Sequence, residues 1–240
     1  MPLALRQFLT PRLLAFACAA VLAIGCETLE DALSPAGPAV TGPFHTPSNF
    51  HLAKQKLPDT IRRVAVLPIT HAPGNAAAKA GLETSEAVLL DELPKAARFE
   101  IVRITREKLE SLTGKSQLRA DEKLPPDLLE KLREESGCQA VLFSELTVYR
   151  AYPPLAVGWK LALFNLEDGQ ALWTIDELFD AGTPAVANSA RRHLTQHQVT
   201  ASPILRETPI LNSPASFTRY TVAEMSETIR PKGLPTGQKK

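Results

Sequence analysis

Trp159-Lys160-Leu161-Ala162-Leu163-Phe164-Asn165-Leu166 and Ala171-Leu172-Trp173-Thr174-Ile175-Asp176-Glu177-Leu178-Phe179 flank the tetrapeptide Glu167-Asp168-Gly169-Gln170. An Asp-Gly pair between two strand-like runs marks a β-hairpin, because a tight turn needs a residue at positive φ and glycine takes that conformation without a Cβ clash. Period-two alternation places Trp159, Leu161 and Leu163 on one face, with Trp173 and Ile175 as cross-strand partners. A further long strand, Ala140 to Tyr149, precedes this hairpin across Tyr152-Pro153-Pro154, where the prolines force a loop. The carboxyl-terminal half of the sheet therefore reads as an antiparallel meander.

Upstream the pattern changes. Arg62-Arg63-Val64-Ala65-Val66-Leu67-Pro68-Ile69 is apolar without alternation, which predicts a strand covered on both faces. Asn75 is placed to cap a helix running to Leu93, with Ala78, Leu82, Leu89 and Leu93 on its apolar side and Pro94 ending it. Phe99 to Val102 offers a second short strand. Thr105 caps the next helix, Ile104 and Leu109 stand at the spacing of a hydrophobic staple, and Gly114 ends it. Pro125 and Pro126 fit the first turn of a third helix, whose apolar side is Leu128, Leu129 and Leu132 and whose left-handed cap is Gly137. Two more helices are predicted, from Pro184 to about His197 and from Ser213-Pro214 to about Ile229. The expected fold class is α/β (α+β): a single mixed β-sheet with an antiparallel C-terminal meander, flanked by helices.

The chain has 240 residues, 44% of them hydrophobic and 22% charged, which is ordinary for a folded domain and too apolar for a wholly disordered one. Its formal net charge is +1 and it carries no Lys/Arg run interleaved with aromatics, so no nucleic-acid partner is expected. Arg6 and Arg12 precede an apolar run from Leu13 to Ile24 that is shorter than the roughly 20 residues of a spanning helix, the pattern of an export signal. The segment Ala23-Ile24-Gly25-Cys26 resembles the lipobox of bacterial lipoproteins. It implies cleavage before Cys26 and lipidation of that cysteine, and Glu27 in the next position implies an outer-membrane, periplasm-facing location. The predicted organisation is a signal peptide over 1–25, a lipidated cysteine with a flexible Pro/Gly-rich tether over 26–60, a mixed-sheet domain over 61–180, a helical extension over 181–230 and a disordered tail over 231–240.

Three pieces of the domain resemble the group of bacterial envelope proteins related to the TolB amino-terminal domain, CsgG and LpoB. They are Val64-Ala65-Val66-Leu67-Pro68, the strand entry Gly137-Cys138-Gln139-Ala140-Val141-Leu142-Phe143-Ser144, and the hairpin Asp168-Gly169-Gln170-Ala171-Leu172-Trp173. Cys138 stands where that group has Ala, and Ser144 where it has Gly. The resemblance implies non-catalytic envelope work: binding, assembly or activation of another cell-envelope protein. The alternatives are a component of an oligomeric outer-membrane secretion assembly, and a glycan- or peptide-acting envelope enzyme.

No catalytic set, metal site or cofactor motif is expected. Asp176, Glu177 and Asp180 cluster at the end of the last hairpin strand and are the only candidates for paired carboxylate chemistry, read more simply as exposed strand-end charges. His193 and His197 are four apart on a helix, but Leu194 stands where a metalloprotease helix would carry Glu. Gly74-Asn75-Ala76 lacks the Lys-Ser or Lys-Thr of a phosphate loop. Cys138 reads as a small buried residue at a strand start. Tyr149, Tyr152, Pro153, Pro154 and Leu155, at one end of the sheet, are the expected partner contact.

Overall fold

A computed structural model of the chain describes residues 40–96, 99–197 and 210–229. Seven strands lie in one sheet: β1 (Phe50–Leu52), β2 (Arg63–Val66), β3 (Thr70–His71), β4 (Glu100–Arg103), β5 (Ala140–Arg150), β6 (Ala156–Asn165) and β7 (Ala171–Asp180). Among the described residues five α-helices flank it: α1 (Ala76–Ala96), α2 (Arg106–Thr113), α3 (Leu128–Ser136), α4 (Pro184–His197) and α5 (Pro214–Glu227). The strand order is β1-β7-β6-β5-β2-β4, with β3 also pairing β5. β2 pairs β4 and β5 in parallel and β3 pairs β5 in parallel, whereas the β5–β6, β6–β7 and β7–β1 pairs are antiparallel. The mixed sheet and its carboxyl-terminal meander are thus as the sequence predicts.

The unbroken apolar run in β2 is explained by two cores. Val64 and Val66 join a large cluster under α1, α4 and α5, while Ala65 and the following Leu67 join a smaller one with Leu109 of α2 and Leu128 and Leu132 of α3. β5 divides the same way, Ala140 and Leu142 to the large cluster and Val141 and Phe143 to the small one. In the hairpin, Leu163 faces Trp173 and Leu161 faces Ile175, all within the large core. Gly169 takes the turn at φ 69°.

The predicted caps are present. Asn75 Oδ1 accepts the N–H of Ala78 at 2.9 Å and its Nδ2 donates to the carbonyl of Thr147, so one side chain starts α1 and ties it to β5. Thr105 Oγ1 accepts from Lys108 N, and Gly114 and Gly137 close α2 and α3 in the left-handed region. Three boundaries differ from expectation. α1 runs through Pro94 to Ala96; the proline is exposed and one turn from the end, so the helix forgoes a single bond there instead of stopping. α3 begins at Leu128 behind the cap position Asp127, so Pro125 and Pro126 precede the helix rather than enter it. Phe50–Leu52, inside the stretch expected to be tether, is an edge strand, with Phe50 opposite Ile175 and Leu52 opposite Trp173. A strand of three residues shows no periodicity of its own, and it exists because the outer edge of β7 offers it partners.

Candidate partner-binding site

The loop between β5 and β6 is drawn tight across its mouth. Arg150 Nε donates to the carbonyl of Pro154 and its Nη2 donates to Asp180 Oδ1 at 2.8 Å, while Ala181 N donates to the Leu155 carbonyl at 2.8 Å. This leaves Tyr152 as the apex, 69% exposed, with Pro153 and Pro154 exposed beside it. The other two expected contact residues lie elsewhere. Leu155 is buried in the large core and cannot meet a partner, and Tyr149 is half-buried with its ring against Gly81 of α1, where burial pushes its phenol pKa up. Apolar character alone did not separate loop apex from loop root: Leu155 is the first residue on the core side of the turn. What remains exposed is a small knob of one aromatic ring and two prolines.

The three carboxylates do not converge. Strand alternation sets Glu177 on the core face with Ile175 and Phe179, and Asp176 and Asp180 on the other. Asp180 is occupied by Arg150 and by Gly182 N. Glu177 has a role that local sequence does not announce. Its Oε2 accepts the N–H groups of Ser48 and Asn49 at 2.9 and 3.1 Å, and Oε1 lies 3.4 Å from His45 Nε2. Residues 43–49 thereby become a strap over β7 and α4. His45 N donates to Ser189 Oγ at 2.8 Å, Asn188 Nδ2 donates to the Pro43 carbonyl, and the Arg192 guanidinium lies 3.9 Å from the centre of the Phe44 ring. The one available signal was a carboxylate at a core-facing strand position, which needs a donor.

His193 packs edge-on against Tyr220 of α5, 5.7 Å between ring centres. Among the described residues no three His, Cys, Asp or Glu side chains gather as a metal site would require, and no helix is long and apolar enough to cross a membrane. Cys138 is 1% exposed and burial raises its thiol pKa. Cys26 lies outside the described residues.

No protein-family profile matches the sequence, and no curated protein matches it. Solved structures do resemble the fold. A PelC dodecamer from Paraburkholderia phytofirmans is 13% identical over 80% of this chain and 100% of its own, with a TM-score of 0.42. Lipoprotein GNA1162 from Neisseria meningitidis is 17% identical over 58% of this chain and 99% of its own, with a TM-score of 0.34. The LpoB C-terminal domain from Salmonella enterica is 16% identical over 50% of this chain and 82% of its own, with a TM-score of 0.31. Bacterial lipoproteins are therefore among the structural neighbours, at a similarity too low to assign a role.

Proposed function

We propose that this chain is an exported lipoprotein, acylated at Cys26, whose domain binds another cell-envelope protein and assembles or activates it without chemistry of its own. The observation that carries the binding role is the pinned loop, in which Arg150 holds Pro154 and Asp180 while Tyr152 stands 69% exposed. A loop whose backbone is held in this way loses little conformational entropy on docking. The anchoring role rests on the lipobox-like Ala23-Ile24-Gly25-Cys26, since several acyl chains at about 0.8 kcal/mol per buried methylene anchor a protein stably where one does not. Glu27 in the position after that cysteine supports a periplasm-facing location at the outer membrane.

Metabolic labelling with a palmitate analogue is expected to mark the protein and to fail in Cys26→Ser. A photo-crosslinker placed at Tyr152 in intact envelopes is expected to capture a single envelope protein. Labelling that persists in Cys26→Ser, or a purified protein that turns over a cell-wall substrate while Tyr152 captures nothing, would overturn the reading.

A further inference from the structure

β4 ends the sheet on the side opposite β1 and pairs with β2 alone. Glu100 N and Ile104 N donate to the carbonyls of Arg62 and Val66. By parallel-ladder alternation the N–H and C=O groups of Ile101 and Arg103 then point away from β2. Among the described residues no strand pairs with this edge. Beside it, between α1 and the start of α2, lies an open cleft of about 580 Å³. That is within the range of small-ligand and peptide sites.

The lining of the cleft has a particular chemistry. Leu82, Ala87 and Leu90 of α1 provide apolar surface, and Lys79 stands at the rim. Glu86, its side chain only 11% exposed, holds Arg103 on Oε1 at 3.2 Å and Arg106 on Oε2 at 3.3 Å. Two guanidinium groups thus share one carboxylate. Arg103 is 57% exposed and Arg106 36%, so each keeps donors of its five-N–H fork free to turn toward a ligand. The lining holds Lys79, Arg103 and Arg106 against Glu83 and Glu86, and Glu107 of α2 also lies in the field of both arginines. A structural ion pair would satisfy Glu86 with one bidentate arginine, and the second is surplus to that need.

We propose that this cleft receives an extended acidic segment of a partner protein, which adds as a strand to the β4 edge, sets a carboxylate against Arg103 and Arg106, and lays an apolar side chain on Leu82 and Leu90. The free edge calls for an extended backbone, because only that conformation returns N–H and C=O groups at the spacing Ile101 and Arg103 present. The solvent-facing donors of Arg103 and Arg106 call for an acidic one. Charges at an open edge also repel unsuitable strands, so Glu100 and Arg103 make the edge selective as well as soluble. The proposal deepens the reading of the chain as a binding module and rests on it, but concerns a surface distinct from the Tyr152 loop.

The test is selection from a random dodecapeptide phage library against the full-length protein in detergent micelles, followed by affinity measurement with the selected synthetic peptides. Selected sequences are expected to carry Asp or Glu two residues from an apolar side chain. Their affinity should fall about tenfold in Arg103→Gln/Arg106→Gln, a few-fold in the exposed Lys79→Gln, and further with added salt. Glu86→Gln removes the competing internal carboxylate and should tighten binding several-fold, which loss of a merely structural ion pair would not do. Circular dichroism and melting curves establish that each variant is folded. Should the double variant not fold, Lys79→Gln and Glu86→Gln decide by their opposite signs. Peptides without acidic residues, acidic peptides indifferent to these substitutions, or weaker binding in Glu86→Gln would overturn the proposal. Peptides that bind elsewhere would sink the cleft and leave the binding-module reading intact, whereas turnover of a cell-wall substrate would sink that reading.

Discussion

The indole N–H of Trp159 donates to the hydroxyl of Thr221 at 2.9 Å, a bond from the middle of the sheet to α5 with both residues fully buried. Thr221 Oγ1 in turn donates to the Thr218 carbonyl at 2.8 Å, so the hydroxyl is satisfied in both directions. Trp173 repeats the arrangement one strand over, its Nε1 donating to Thr228 Oγ1 at 2.9 Å. The hairpin that defines the meander is therefore registered against the last helix by two polar bonds set in apolar packing.

Thr221→Val keeps the shape and strands the indole N–H. The expected loss is about 1–3 kcal/mol, the cost of a buried donor without a partner. Urea unfolding measures it. In Trp159→Phe/Thr221→Val the combined loss should be smaller than the sum of the single losses, because no donor is then left unpaired.

Glu177→Ala should free the strap without unfolding the domain. Ser48 N and Asn49 N lose a charged acceptor, worth about 1 kcal/mol or less because both bonds are open to solvent. Hydrogen exchange should quicken over residues 43–52 while amides of β5 and β6 keep their protection. Uniformly faster exchange would show that the strap belongs to the global fold rather than to a separable unit.

Gly81→Ala tests the approach of α1 to β5. A Cβ at this position would lie 2.4 Å from the nearest ring carbon of Tyr149, well inside van der Waals contact. Alanine gains up to about 1 kcal/mol in helix propensity, but overpacking costs about 1–3 kcal/mol. Net destabilisation is expected from melting curves. The second substitution Tyr149→Ala should remove the clash and let the propensity gain show.

Stability should decline at alkaline pH. Burial pushes the Tyr220 phenol well above its ordinary range, with the Glu224 charge adding to the effect, and burial likewise raises the Cys138 thiol. Both groups are neutral in the fold and ionise first in the unfolded chain, so their contribution is complete below the ordinary values of about 8.5 for Cys and 10 for Tyr and is lost as pH rises beyond them. Melting temperature against pH checks this, and Tyr220→Phe should flatten the upper part of the curve. Cys138 should resist alkylation at pH 8 in the folded protein and react on denaturation, as read by peptide mass mapping. The acid limb has the opposite sign. Arg119 holds Asp121 and Lys131 holds Asp127 below the usual carboxylate range, so their contributions persist above it and disappear as pH falls through the lowered values.

Much of the fold could be read because its signals are local. Asp168-Gly169 fixed the hairpin, Thr105 with Gly114 bounded α2, and the non-alternating run at Val64 anticipated a strand with a core on each face. The candidate site was less legible. Tyr152 and Leu155 are three residues apart and similarly apolar, yet one is an exposed apex and the other is buried, a difference set by where Arg150 closes the loop. The Glu86 pairing with Arg103 and Arg106 joins residues 17 and 20 positions apart, and no motif announces it.

The amino-acid sequence alone determined the helices and the longer strands, because turns, caps and hydrophobic period act over a few residues and need no distant partner. Only the tertiary structure decided that Phe50–Leu52 is a strand, that Glu177 secures a strap, and that an open edge lies beside a pair of arginines sharing one carboxylate. Each depends on groups brought together from separate elements, and a hydrogen bond or ion pair between them has no counterpart in local chain preference.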